Sequence, residues 1–164
     1  MRKLSLLFLT LLTALVACGQ GRQDQSAEAV EPAVREVLPG VEVLVKSGFE
    51  CLKGKKIGLL TNPSGIDRKL RSTVDILFNA PGVELKVLFA PEHGVRGDVY
   101  AGSKLSDTVD ETTGLPVRSL YGNTRTPTPE MLKGLDAVVY DIQDVGTRSY
   151  TFISSLGLLM RACA

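Results

Sequence analysis

Strand-like runs alternate with helix-forming segments from residue 57 onwards, and this alternation limits the fold more than any other feature of the sequence. The runs at 57–61 and 137–140 are continuously apolar, which is typical of strands buried on both faces of a sheet. Two further strands are predicted at 83–89 and 116–121. Strands joined by helices form parallel sheets through right-handed crossovers. The sequence therefore predicts an α/β fold, a Rossmann-like parallel sheet with flanking helices.

Three helices are predicted around these strands. A hydroxyl at position 72 or 73 can cap a helix that continues to residue 78, and Thr128 can cap one over 129–133 that begins with proline and an acid. A last helix is predicted over 149–164, with apolar side chains along one stripe. This helix has no glycine or other stop signal at its end, so we expect the 164 residues to be the amino-terminal part of a longer protein.

The amino-terminal segment has the pattern of an export signal. In residues 1–17, two basic residues precede an apolar stretch too short to cross a membrane as a helix. The stretch ends in an Ala-Cys pair that resembles a bacterial lipobox and predicts cleavage before Cys18 and lipidation of that cysteine; an ordinary signal peptide is the alternative. Lipidation predicts a membrane-anchored protein of the cell envelope, on the periplasmic face of the outer membrane in a Gram-negative cell. Residues 18–40 are predicted to be a flexible tether and residues 41–164 the folded domain.

Composition and absent motifs exclude several classes of function. A formal charge of +1 and 5% aromatic residues argue against nucleic acid as a partner. The sequence contains no GxGxxG after the first strand, no P-loop, no GxSxG and no HExxH. It also contains no CxxC pair or His/Cys cluster, so we predict neither a cofactor nor a metal; a disulfide between Cys51 and Cys163 stays open.

Polar residues are concentrated directly after the predicted strands. Because carboxyl ends of parallel strands meet at one edge of a sheet, we expect these residues to lie close together and to form the site. Polar side chains this close to apolar strands would destabilise the core if they were buried, so we expect them to face water or a ligand. The candidates are Asn62, Glu92, His93, Tyr121, Asp141, Gln143, Asp144 and Arg148.

Several candidates also have a purely structural interpretation. Glu92 could cap a turn, and His93, the only histidine, could pack against a main-chain carbonyl. Asp141 could order a loop or cap a helix, and Asn62 could form an Asx turn before the proline that follows it. These alternatives remain open from the residues alone.

Two ion pairs are possible within the same loops. For Arg96 and Asp98 we favour a pair that stabilises the loop over a role in the site. Asp144 and Arg148 could pair in the same way.

Carboxylates and an imidazole without a cofactor motif favour acid–base hydrolysis. Cleavage of a glycoside needs a proton donor at the leaving oxygen and commonly a second carboxylate, and Glu92 with Asp141 or Asp144 could supply both. A metal-dependent hydrolase using Glu92, His93, Asp98 and Asp141 is a weaker alternative, because the set has one imidazole among carboxylates.

The motifs of the chain resemble those of a known family over residues 43–164. They read GLLTNPSGID, LFAPEHGVRGD, AG at 101–102, TGLPVRSLYG and YDIQDVGTRSYTFISSL. In order and wording they are similar to the family catalogued as DUF1343, whose characterised members are exo-β-N-acetylmuramidases of the NamZ type.

The resemblance implies an enzyme, a glycoside hydrolase that removes N-acetylmuramic acid from the non-reducing end of peptidoglycan fragments during wall turnover. It implies a Rossmann-like amino-terminal domain whose cleft is completed by a carboxyl-terminal domain that these residues do not include. Glu92 matches the catalytic glutamate, with Asp141 and His93 beside it. The positions matching the cleft lining are Asn62, His93, Asp141, Gln143, Asp144 and Arg148. Arg148 suits the lactyl carboxylate of muramic acid. Inactivity of the isolated chain, or a non-catalytic lipoprotein that binds wall fragments, is the alternative.

Overall fold

The computed structural model describes residues 36–100 and 102–164. The chain divides into two units, Met1–Glu36 and Val37–Ala164, and every described helix and strand lies in the second. The predicted signal segment, the lipidation at Cys18 and the tether up to residue 35 lie outside the described residues. No described helix has the length and hydropathy needed to cross a membrane.

The described strands form one five-stranded sheet. They are β1 (Lys56–Thr61), β2 (Glu84–Ala90), β3 (Thr108–Val109), β4 (Pro116–Ser119) and β5 (Ala137–Asp141). Their order is β3-β4-β2-β1-β5, and β4, β2, β1 and β5 pair in parallel. The predicted parallel sheet is therefore confirmed. The edge strand β3, which pairs antiparallel with β4, was not predicted because two residues carry no periodic signal.

Within the described residues, four α-helices and a 3₁₀ turn surround the sheet. They are α1 (Gly40–Lys46), the 3₁₀ turn (Glu50–Leu52), α2 (Thr73–Phe78), α3 (Pro129–Leu132) and α4 (Phe152–Cys163). The predicted caps of α2 and α3 are confirmed: Ser72 Oγ accepts from the Val74 amide at 3.2 Å, and Thr128 Oγ1 accepts from the Met131 amide at 3.4 Å. The sequence analysis did not predict α1. It also placed the start of α4 three residues too early, because Tyr150 N closes a turn onto Thr147 O at 3.2 Å.

Apolar side chains fill both faces of the sheet. One cluster joins Ile57 and Leu59 of β1 to Val74 and Leu77 of α2. The cluster on the other face joins β1 and β2 to Phe152 and Leu159 of α4, together with partly buried side chains of α3. Central strand β1 is buried at every position after Lys56, as its apolar run predicts.

Cys51 and Cys163 are exposed free thiols, so the disulfide left open by the sequence is not formed.

Candidate active site

The carboxyl ends of β1, β2, β4 and β5 lie along the same edge of the sheet. Strand β1 is flanked by β2 on one side and by β5 on the other, so the chain leaves β1 in one direction and returns on the opposite side. In open parallel sheets, a reversal of strand order of this kind opens a crevice beyond the strand ends. The loops that carry the predicted site residues follow these strands.

Glu92 lies just after the end of β2, where three other segments approach its carboxylate. The amide of Gly102 donates to Oε1 at 3.4 Å, and Thr151 Oγ1 donates to Oε2 at 3.4 Å. The phenol of Tyr121 lies beside the same carboxylate, and its interaction with Glu92 raises the pKa of Tyr121 above its ordinary value. Glu92 is half-buried, so its carboxylate is held in one place while part of it stays accessible.

The loops after β1 and β5 are joined through Ser64. Asn62 Oδ1 accepts from the Ser64 amide at 2.9 Å and from its hydroxyl at 2.6 Å, which is the geometry of an Asx turn. The amide of Gln143 donates to Ser64 Oγ at 2.8 Å. Asn62 is buried, so its side chain orders the loop, and this arrangement brings Gln143 next to the end of β1.

The carboxylate of Asp141 accepts a hydrogen bond from Thr73 Oγ1 at the start of α2. Its main-chain carbonyl accepts from Thr61 Oγ1 at 2.6 Å. These contacts match the loop-ordering interpretation of Asp141. Within the described residues, the hydrogen-bond partners of Glu92 do not include Asp141.

His93 has a left-handed backbone, with φ of 72°, which is uncommon outside glycine. Its Nδ1 lies 3.4 Å from the carbonyl of Val99, so a proton on Nδ1 donates to that carbonyl and leaves Nε2 as an acceptor. The same loop rests on the loop after β1: a Cβ at Gly97, where φ is 80°, would lie 2.6 Å from Pro63 Cγ. The ring of His93 is thus next to Glu92 in sequence but is fixed by its own loop.

The predicted pair between Arg96 and Asp98 is wrong. Arg96 Nε donates to Asp110 Oδ1 at 2.5 Å, and its Nη2 donates to Asp75 Oδ1 at 2.9 Å. The guanidinium therefore joins the loop to α2 and to the segment before β4, which sequence spacing could not indicate. Arg96 lowers the pKa of the Asp110 carboxyl to about 2.

The loop after β5 carries the remaining candidates. Asp144 Oδ1 accepts from the Gly146 amide at 2.7 Å, and Gln143 Nε2 donates to the Asp144 carbonyl at 3.0 Å. Arg148 is exposed, and within residues 36–100 and 102–164 it forms no ion pair, so the possible pair with Asp144 is not formed.

Sequence reasoning missed two of the donors that surround Glu92. The amide of Gly102 carries no side-chain signal, and Thr151 falls inside the helix predicted over 149–164, whereas the structure has it as the residue before α4. A hydroxyl immediately before a helix is the signal that could have drawn attention to Thr151. In the described part of the chain, no three His, Cys, Asp or Glu residues are grouped closely enough to hold a metal ion.

Comparisons with known proteins find relatives of this chain among proteins named as muramidases. Residues 57–164 match the family model described as "Exo-beta-N-acetylmuramidase NamZ, N-terminal". The chain is 46% identical to "Peptidoglycan beta-N-acetylmuramidase NamZ" of Bacillus subtilis (strain 168), over 99% of this chain and 39% of that protein. It thus spans about two fifths of this curated relative.

Two crystal structures from Bacteroides fragilis NCTC 9343, both described as DUF1343 family proteins, share the fold. The first is 57% identical with a TM-score of 0.71, covering 77% of this chain and 31% of that one. The second is 36% identical with a TM-score of 0.64, covering 79% and 32%. The α/β fold with a parallel sheet is therefore shared with about a third of each of these longer chains.

Proposed function

Because this chain belongs to the NamZ family and matches the amino-terminal part of its members, we propose that it is a glycoside hydrolase acting on peptidoglycan. Its substrate is a peptidoglycan fragment that carries N-acetylmuramic acid at the non-reducing end. The product is the free sugar, released during wall turnover. In the proposed arrangement, a carboxyl-terminal domain outside these residues completes the cleft against the edge of the sheet that carries Glu92.

One observation carries the proposal: at the carboxyl edge of the sheet, the Glu92 carboxylate accepts hydrogen bonds from two separate segments and has the phenol of Tyr121 beside it. A single acid with several donors arranged around it, in a chain 46% identical to a named muramidase, supports a role in proton transfer.

In the proposed reaction, Glu92 gives its proton to the glycosidic oxygen as the bond from that oxygen to the anomeric carbon breaks. A water molecule adds its oxygen to the anomeric carbon, and its proton passes to a second base. Asp141 or Asp144 supplies the second carboxylate. The hydrogen bond from Thr73 supports a positioning role for Asp141 and favours Asp144 as the group that faces the sugar.

Five further residues are proposed to line the cleft around Glu92: His93, Asn62, Gln143, Tyr121 and Arg148. Asn62 and Gln143 both hydrogen-bond to Ser64, which joins the loops after β1 and β5. Their proposed role is therefore to position these two loops. Tyr121 interacts with the carboxylate of Glu92. His93 is the next residue in the sequence.

Hydrolysis of a chromogenic β-N-acetylmuramide by this chain tests the proposal. We expect turnover that is abolished by Glu92→Gln and retained by Glu50→Gln, a control at an exposed glutamate of the 3₁₀ turn. Equal turnover by Glu92→Gln would exclude Glu92 as the proton donor. Binding of muramyl glycosides without turnover would favour a wall-binding lipoprotein, and loss of turnover with a chelator would favour a metal-dependent enzyme.

We further propose that the protein is anchored in the cell envelope by lipid on Cys18, on the periplasmic face of the outer membrane in a Gram-negative cell. The support is the sequence pattern of residues 1–18. Labelling with a fatty acid in the expressing bacterium should modify the wild-type protein and leave Cys18→Ser unlabelled. Labelling of Cys18→Ser to the wild-type level would exclude this anchor.

A further inference from the structure

Arg125 is presented by a hydrogen-bonded turn that follows β4. Thr124 Oγ1 donates to the Thr126 carbonyl at 2.7 Å and accepts from the Thr126 amide at 3.1 Å, so the residues on either side of Arg125 hold each other in place. Arg125 itself is exposed. Its backbone is therefore fixed, although its side chain extends towards solvent.

The guanidinium of Arg125 lies over the ring of Tyr121, with Cζ 5.2 Å from the ring centroid. A cation over an aromatic face is attracted to it, and the edge of the guanidinium keeps its donors free. The phenol of the same tyrosine interacts with the carboxylate of Glu92. Arg125 and Glu92 thus both lie beside Tyr121.

The main chain of Tyr121 is also fixed. Its amide donates to Ser119 Oγ at 3.2 Å, and its carbonyl accepts from the Leu105 amide at 3.0 Å. The positions of the cation and of the carboxylate relative to the ring are consequently set by the fold.

Arg125 differs from most other arginines of the described domain in having no acidic partner there. Four others form ion pairs, namely Arg68, Arg71, Arg96 and Arg118. An arginine held over an aromatic ring, beside a carboxylate it does not bind, is available for an anion brought by a ligand.

From this geometry we infer that Arg125 binds the lactyl carboxylate of a muramyl substrate. The inference rests on the proposed function. Muramic acid differs from glucosamine by a lactyl ether on the 3-oxygen, which carries a carboxylate. When the oxygen on the anomeric carbon is at Glu92, the 3-substituent of the same sugar lies about one six-membered ring away, which is where Arg125 is held. A guanidinium and a carboxylate form two parallel hydrogen bonds, so this residue would select muramic acid over N-acetylglucosamine.

Binding of two sugars to the full 164-residue chain tests the inference without requiring turnover. The probes are the methyl β-glycosides of N-acetylmuramic acid and N-acetylglucosamine, titrated by NMR against wild type, Arg125→Gln, Arg125→Lys and Arg148→Gln. Arg161→Gln, at an exposed arginine in the last turn of α4, is the matched control.

We expect Arg125→Gln to weaken binding of the muramide roughly 10- to 100-fold, the effect of losing charge-assisted hydrogen bonds, and to leave the glucosaminide unaffected. Arg125→Lys should restore part of the preference, and Arg161→Gln should keep all of it. Unchanged preference in Arg125→Gln, or loss of preference in Arg148→Gln alone, would overturn the inference.

These outcomes separate the inference from the proposed function. Turnover of the muramide that depends on Glu92, with an unchanged preference in Arg125→Gln, overturns only the role of Arg125. A preference that depends on Arg125 without turnover supports the role of Arg125 and overturns only the catalytic proposal. A wild-type chain that binds neither sugar overturns both.

Discussion

The phenol of Tyr121 lies beside the carboxylate of Glu92, across the gap between the ends of β4 and β2. These strands are parallel neighbours, so the two residues extend from the same edge of the sheet. This proximity favours the protonated phenol, because ionisation would place two negative charges side by side. The carboxylate of Glu92 therefore raises the pKa of Tyr121.

Replacing Glu92 by glutamine should lower the pKa of Tyr121 towards its ordinary value. The pKa is raised first by the hydrogen bond to Glu92, with burial and the charge of the carboxylate adding to it. Glutamine removes the charge and weakens the bond. NMR of ¹³Cζ-labelled tyrosine follows the titration, and Tyr121→Phe identifies its signal.

Tyr140 serves as the internal control for this measurement. Its pKa is raised mainly by burial, so Glu92→Gln should leave its titration unchanged. An identical midpoint for Tyr121 in wild type and Glu92→Gln would show that the phenol and the carboxylate are not in contact.

Asp110→Asn should reduce stability at neutral pH by about 1–2 kcal/mol, allowing for the partial exposure of Arg96. Arg96 lowers the pKa of Asp110 to about 2, whereas an unfolded aspartate titrates near 3.9. The stabilisation is thus complete above about pH 4 and is lost as the pH falls from about 4 to 2. Urea unfolding at pH 7 and at pH 3 should show that the wild type loses more stability than Asp110→Asn over this interval.

Asp98→Asn is the matched control for this pair, since Asp98 is the partner that sequence spacing favoured. Arg96 is bonded to Asp110 and Asp75, so we expect Asp98→Asn to unfold at the wild-type urea concentration. A loss at Asp98 equal to that at Asp110 would contradict the pairing.

The sequence predicted those features that depend on local composition. The apolar run of β1, the caps of α2 and α3 and the polar loops after each strand are properties of short segments, and the parallel sheet follows from their order. The partners of Arg96 and Glu92 depend instead on the packing of distant segments. Asp110 is fourteen residues from Arg96 and Thr151 is fifty-nine from Glu92, and no periodicity connects such positions.

Gly97→Ala should destabilise the domain by about 2–4 kcal/mol, because the residue has a φ of 80° and its added Cβ would lie 2.6 Å from Pro63 Cγ. Gly134→Ala, at a φ of 77° with no atom within 4 Å, should cost only about 1 kcal/mol, the effect of the backbone. Urea unfolding of the two variants separates the loss caused by the contact with Pro63 from the loss caused by the left-handed backbone. Equal losses would show that the contact between the two loops contributes nothing.

Thr73→Val should destabilise the domain by about 1–3 kcal/mol and loosen the loop after β5. The substitution keeps the shape of the buried side chain but removes the donor to the Asp141 carboxylate, which is left with an unmade hydrogen bond. Thr73→Ser keeps the donor and should recover most of the loss. Hydrogen exchange at the Gln143 amide, which donates to Ser64 Oγ at 2.8 Å, reports on the loop directly and should accelerate in Thr73→Val alone. Equal exchange at Gln143 in both variants would show that Asp141 does not order the loop through Thr73.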